Sequence, residues 1–213
     1  MEKTLNQAIN AHKQGKIDEA ERLYLEILKV EPKNGDANHN LGVLKVYKND
    51  SIGAIPLFKT ATEIKPNIVQ FWVSYAGALI NEKKFKQAEL SCRKIIKLKS
   101  DFPNAYSNLG NILKKIGKFN EAEINYKKAI VLNPNLAEDH YNLGNTLVEL
   151  GKLDEVEICF KKAIKIKPDF AQAYNSLGIR LVELNRAGEA EIVYKKAIKV
   201  KPNYPEAYNN LGI

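Results

Sequence analysis

At a spacing of 34 residues the chain places Asn6, Asn40, Ser74, Asn108, Asn142, Ser176 and Asn210, a column of short amide and hydroxyl side chains. An asparagine amide offers two N–H donors and a carbonyl acceptor, which is the complement of a peptide main chain. One such group per 34 residues makes a track that grips an extended backbone with little regard to side-chain identity. Each rung contributes ~0.5–1.5 kcal/mol net, so several rungs give useful but reversible binding. Asn111 and Asn145 follow the column by three residues and thicken it, while His39, Asn175 and Asn209 precede it by one. Seven residues after the column stand Lys13, Tyr47, Asn81, Lys115, Glu149 and Glu183, a drift from basic to acidic along the chain.

Other chemistry is sparse. His12, His39 and His140 are scattered, neither Cys92 nor Cys159 has a neighbour that activates a thiolate, and no glycine-rich phosphate loop or metal-ligand spacing occurs. The sequence therefore predicts no enzyme activity within this chain, no cofactor and no metal. His140 reads as a packing substitute for tyrosine, and Cys92 as an inert buried thiol. The two cysteines lie in different units at different places, which argues against a disulfide and for a reducing, cytoplasmic compartment. No apolar run approaches the ~18 residues that span a bilayer, and the amino terminus lacks the apolar stretch of a signal peptide. The formal charge of +8 invites a nucleic-acid reading. Its placement does not support one: acids gather at the start of each second helix (Asp18, Glu19, Glu121, Asp154, Glu189) and lysines near its end (Lys97, Lys99, Lys165, Lys167, Lys199), the order that complements a helix dipole.

The elements that position the column repeat with it. Pro32, Pro66, Pro134, Pro168 and Pro202 keep the 34-residue step, with Ser100 in the gap. So do the pairs Leu41-Gly42, Tyr75-Ala76, Leu109-Gly110, Leu143-Gly144, Leu177-Gly178 and Leu211-Gly212. In the unit 103–136, Pro103 suits a first helical turn. Tyr106, Leu109, Gly110 and Leu113 fall at i, i+3, i+4 and i+7, one face of a helix running to about Ile116. Gly117 is placed for the left-handed residue that closes a helix, as are Gly15, Asn49, Gly151 and Asn185 elsewhere. A second helix from about Asn120 carries Ala122, Tyr126, Ala129 and Ile130. Gly110 and Ala122 are expected to face each other across closely approaching backbones, with Tyr126 in the adjoining hollow.

The expected fold is all-α: antiparallel helix pairs in six full units (1–34, 35–68, 69–102, 103–136, 137–170 and 171–204) plus a partial seventh, 205–213, in one array. A first helix ending at Ile213 has no closing partner, so the chain is expected to be a piece of a longer protein, or to present Leu211 for self-association. Less regular ground is expected at Pro56 inside a second helix, where it displaces the start or bends the first turn, at Val156 in place of alanine, and in the third unit. That unit carries Trp72, Ala76, Cys92 and Ser100 and redistributes its bulk.

With the core face at the fourth, seventh, eighth and eleventh places of a unit, the asparagine column at the sixth place points away from it at 100° per residue. Asparagine is a poor choice for a merely wet helix face, costing about 0.7 kcal/mol against alanine. Composition and duplication also supply it, since the chain has 22 asparagines in 213 residues. The column accordingly fits a binding track and a plain solvated face alike.

The period and pattern resemble the tetratricopeptide repeat, a right-handed helical solenoid that binds proteins. The run AYSNLGN…EAEINYKKAI…NPNLAEDHYNLGN is similar to the tetratricopeptide superhelix of O-GlcNAc transferase. In that family the asparagine before Leu-Gly lines the concave groove and holds the substrate main chain. The resemblance implies that role for Asn40, Asn108, Asn142 and Asn210, with Ser74 and Ser176 departing from the ladder. It implies an extended peptide or protein partner and the substrate-recruiting arm of a larger enzyme; a stand-alone or self-assembling scaffold is the alternative. The lysine-and-arginine carboxylate clamp of chaperone-binding members is absent, because the fifth place holds no lysine and the sixth no arginine.

Overall fold

The computed structural model describes residues 2–212 and divides into two compact units, Met1–Ala105 and Tyr106–Ile213. Ile213, the expected end of the last first helix, lies outside the described residues. Every regular element among the described residues is a helix. First helices are α1 (Glu2–Lys13), α3 (Gly35–Tyr47), α5 (Val69–Asn81), α7 (Pro103–Lys115), α9 (Ala137–Glu149), α11 (Ala171–Glu183) and α13 (Pro205–Leu211). Second helices are α2 (Ile17–Val30), α4 (Ser51–Ile64), α6 (Phe85–Leu98), α8 (Phe119–Leu132), α10 (Val156–Ile166) and α12 (Ala187–Val200). Within the first unit α1 packs on α2, α3 on α4 and α5 on α6, and α2 and α4 pack on the next first helix; the second unit repeats this from α8 to α13. Each unit is therefore a stack of helix pairs, the all-α solenoid arrangement that the period predicts.

Turn chemistry follows the sequence closely. Gly15, Asn49, Gly117, Gly151 and Asn185 all take positive φ, between 58° and 78°. The sixth member of the series is Lys83, at φ 54°, a position that its residue type does not advertise. Pro56 does not displace its helix: α4 starts at Ser51, the place equivalent to Ile17, Phe85 and Phe119. The displaced start belongs to the fifth pair, where a 3-10 turn over Leu153–Glu155 precedes α10 and its buried Val156.

At Gly42, Gly110, Gly144 and Gly178 the small residue of the Leu-Gly pair accommodates a ring, which corrects the expectation of glycine facing alanine. A Cβ added to Gly42 would lie 2.7 Å from Phe58 Cε1, one on Gly110 2.8 Å from Tyr126 Cε1, and one on Gly144 2.6 Å from Phe160 Cε1; Gly178 meets Tyr194 in the same way. The rings lie across the glycines and are at most 3% exposed.

The ring hydroxyls are not equally provided for. Tyr126 donates to Asn111 Oδ1 at 2.8 Å, whereas the Tyr24 hydroxyl is buried with no partner among the described residues. An unsatisfied buried polar group costs ~1–3 kcal/mol and a made hydrogen bond gains ~1. Tyr24→Phe is therefore expected to leave stability unchanged or raise it by about 1 kcal/mol, and Tyr126→Phe to lower it by about 1 kcal/mol, in urea denaturation. Equal losses in both would contradict this assignment.

Candidate functional site

Each first helix carries one residue of the column, from Asn6 on α1 to Asn210 on α13. Asn6, Asn108 and Asn210 are exposed, while Asn40, Ser74, Asn142 and Ser176 are half-buried against neighbouring first helices. The residue before the column is not at the side of an open track: His39 and Asn175 are each 8% exposed. These two turn inward because the next first helix packs over them, an effect that single-helix geometry omits.

Within each unit the column residues bridge successive first helices. In the first, His39 stacks on Phe71 with ring centroids 4.4 Å apart; its Nδ1 lies 3.3 Å from Asn40 Oδ1 and its Nε2 3.0 Å from Ser74 Oγ. In the second, Asn142 Nδ2 donates to Asn111 Oδ1 at 3.2 Å, and Lys114 Nζ donates to Asn142 Oδ1 at 2.8 Å. Asn210 Nδ2 donates to Asn175 Oδ1 at 3.0 Å. These bonds use part of each amide's capacity: Asn142 keeps one N–H and one lone pair. Asn6, Asn108 and Asn145 have no hydrogen-bond partner among the described residues.

Burial sets the electrostatics of this region. It lowers the pKa of Lys114, helped by neighbouring Lys115, and Lys114 has no carboxylate partner among the described residues. Burial also raises the Asp139 carboxyl, although Ser107 Oγ donates to it at 2.5 Å. The His39 imidazole is lowered by burial against the opposing influences of Asn40 and Asp36, and His12 and His140 are lowered by burial too. A histidine whose folded pKa lies below the ordinary 6.5 binds its proton more readily unfolded. Its contribution is then intact above about 6.5 and is lost as pH falls below it. The urea midpoint is expected to drop from pH 7.5 to pH 5.5, and His39→Gln to flatten that drop. A midpoint rising on acidification would refute it. Glu21, held low by Lys48, and Glu138, held low by Lys167, act only nearer pH 4.

One functional pattern was readable in the sequence and missed. The fourth place of every unit after the first, the partial seventh included, holds Asn38, Trp72, Tyr106, His140, Tyr174 or Tyr208, all hydrogen-bond donors. Three of them clasp the carbonyl of the turn proline six residues earlier: Asn38 Nδ2 on Pro32 at 2.9 Å, Trp72 Nε1 on Pro66 at 2.9 Å and His140 Nε2 on Pro134 at 3.1 Å. A carbonyl only accepts, so His140 carries its proton on Nε2. The tryptophan of the third unit and the histidine of the fifth thus do the same work.

Cys92 and Cys159 are buried, free thiols, pushed up to about 12 and about 11 by desolvation. Among the described residues no His/Cys/Asp/Glu group is arranged to hold a metal, and no helix is long and apolar enough to cross a membrane. Much of the charge joins neighbouring pairs: Lys152 to Glu123 at 2.6 Å, Arg186 to Glu157 at 2.8 Å, Lys48 to Glu21 at 2.5 Å, and Lys167 to Glu138 at 2.8 Å. Such partly exposed pairs contribute little singly, ~0–1 kcal/mol.

Comparison with known proteins agrees with this architecture. A family model described as TPR repeat matches residues 110–151 and 180–213, and two described as tetratricopeptide repeat match 137–170 and 5–45, together more than half of the chain. No curated protein matches by sequence. Among solved structures, YrrB, described as a TPR protein with an unusual peptide-binding site, superposes with a TM-score of 0.75 at 19% identity over 89% of this chain and 98% of its own. MamA superposes at 0.74 with 27% identity over 79% and 92%, and PilF of Pseudomonas aeruginosa at 0.76 with 14% identity over 98% and 95%. By its 34-residue period, its ring-over-glycine helix pairs and these matches, the chain belongs to the tetratricopeptide repeat family of protein-interaction modules.

Proposed function

We propose that this chain binds an extended peptide or protein segment, main chain first, along the amide column of its first helices. The observation that carries the reading is the second compact unit's arrangement: Asn108 is exposed and, among the described residues, unpaired, and Asn142, held in place by Asn111 and Lys114, keeps a donor and an acceptor for a ligand. Preorganised amides lose little rotamer freedom on binding. The peptide-binding site named for YrrB supports a ligand of this class. The two free thiols support a cytoplasmic setting, and the column itself supports the finer reading of a recruiting arm for a glycosyltransferase-like enzyme. A native reading frame that closes soon after Ile213 would sink that finer reading.

Peptide-library binding by the wild type and by Asn108→Ala with Asn142→Ala tests the main one. The double variant is expected to lose ~1–3 kcal/mol of binding, about 5- to 150-fold, while remaining folded by circular dichroism. Asn108→Ala alone, which breaks no bond between helices, is expected to lose about half of that free energy. Equal binding by all three proteins would leave the amides as surface composition.

A self-assembling scaffold is the second reading. It is favoured by a cavity of about 430 Å³ among α11, α12 and α13, bordered by Val182, Tyr194 and Leu211, where a further helix from a second copy can pack. A strictly monomeric species in light scattering at high concentration would remove it.

A further inference from the structure

The two serines that interrupt the column coincide with a second change. Where the column residue is Asn40, Asn142 or Asn210, the ring 16 residues before it is Tyr24, Tyr126 or Tyr194; where it is Ser74 or Ser176, the ring is Phe58 or Phe160. The remaining rung, Asn108, follows Cys92. At both Phe/Ser places the structure has a cavity on the column side of the first helices. One, of about 280 Å³, is floored by Phe58 and bordered by Ser74, Val43 and Val46. The other, of about 150 Å³, is floored by Phe160 and bordered by Ser176, Val148 and Ile179. Their linings come from the same repeat positions, three units apart.

The local cause is visible in the second compact unit at Tyr126 and Asn142, although the Tyr194/Asn210 place, at the last described helix, also borders a cavity. At the Tyr/Asn place, the Tyr126 hydroxyl and the Asn142 amide both close onto Asn111 Oδ1, at 2.8 and 3.2 Å. One unit on, Asn145 stands where Asn111 stood, but Phe160 brings no hydroxyl and Ser176 no amide. Asn145 is left without a partner, and the space above the ring stays open.

We propose that these two cavities are side-chain subsites of the peptide track, each taking an aliphatic side chain of leucine size from the bound segment; the proposal rests on the peptide reading given above. By volume a cavity of about 150 Å³ admits a group as large as benzene; this one sets apolar Val148, Phe160 and Ile179 against Asn145, Ser176, Arg180 and Glu183. Val148 and Ile179 border the Phe160 cavity at 44% and 42% exposure, so filling it covers apolar surface that water now wets. Charge argues against an acidic occupant. Arg180, at the edge of this cavity, is engaged by Glu183 at 3.1 Å and the Leu153 carbonyl at 3.5 Å. Its unpartnered Nε is closed to solvent and offers a ligand no contact. Among the described residues lining this cavity Glu183 therefore faces an incoming carboxylate with no free cation beside it. Extended segments are thus held by main-chain bonds at the asparagine rungs and selected by side chain at the serine rungs.

The test is to close the Phe160 cavity with the chain's own alternative. Phe160→Tyr with Ser176→Asn is expected to rebuild the Tyr126–Asn111–Asn142 cluster around Asn145. Two readouts are taken: Val148 and Ile179 methyl shifts in NMR on titration with N-acetyl-leucine methylamide, and the residue preferences of peptides captured from a random dodecamer array. Wild type is expected to give saturable shifts and to prefer Leu, Ile or Val over Ser at a fixed position by about tenfold; the closed variant is expected to lose both. Should the closed variant not fold, Ile179→Ser, which trims an exposed wall residue, is expected to weaken both readouts. Peptides captured without an aliphatic preference, or a preference that survives closure, overturn the subsites and leave the amide track standing. Methyl shifts lost on closure in a protein that captures no peptide uphold the aliphatic site and overturn the track. Neither shifts nor capture overturns both.

Discussion

Gly110→Leu is expected to lower stability by about 3 kcal/mol, the largest loss among single changes considered for this chain. The Tyr126 ring lies over Gly110 with Cε1, Cδ1 and Cζ at 2.8, 2.9 and 3.0 Å from where the first added carbon would sit. The ring cannot retreat: it is fully buried and its hydroxyl is held by Asn111. Gly110→Ala meets the same ring with one carbon, and alanine's better helix propensity returns about 1 kcal/mol, so its net loss is expected to be smaller. The chain carries its own compensation, since the third pair has Ala76 and Cys92 at these two places. In a double-mutant cycle Gly110→Ala with Tyr126→Cys should therefore lose less than the sum of the single changes, by ~0.5–3 kcal/mol. Additive losses in urea denaturation would show that ring and glycine are not coupled.

Pro56→Ala is expected to work in the opposite direction, raising stability by about 2 kcal/mol. Pro56 lies well inside α4, where its missing N–H leaves the Ile52 carbonyl without its helical partner; an interior proline costs ~3 kcal/mol or more. Part of that is offset because proline also restricts the unfolded chain, by ~0.4–1 kcal/mol. The helix has local support: Asp50 caps it through Gly53 N–H at 2.8 Å, a side-chain cap that none of the other second helices shows among the described residues. The Thr60 hydroxyl also donates to the Pro56 carbonyl at 3.0 Å. A Pro56→Ala protein no more stable than wild type in urea would mean that α4 absorbs the missing bond without cost.

The candidate site was legible in outline. Period 34 and the sixth place in each first helix are one-dimensional facts, so the column could be read from residue types alone. Its engagement could not. Asn142 on Asn111, Asn210 on Asn175 and His39 on Ser74 each join residues 31 to 35 apart in sequence. Such bonds exist only once one first helix is laid against the next. Ser74 and Ser176 read as weak rungs in the sequence; the cavities beside them depend on a ring contributed by the preceding pair.

The sequence by itself determined the all-α class, the approximate helix limits outside the fifth pair, and five of the six left-handed turn residues. These follow from i, i+3, i+4 periodicity and from glycine, asparagine and proline chemistry, which act within a few residues. Tertiary structure alone decided that glycine makes room for a ring and not for a backbone, that His39 and Asn175 are buried, and that Lys83 takes a left-handed conformation without being glycine or asparagine. It also decided which amides are spent between helices and which remain for a ligand. The physical reason is common to all of these. Helical periodicity fixes the direction in which a side chain leaves its own helix, but what it meets there is contributed by neighbouring helices, and that placement is set by packing.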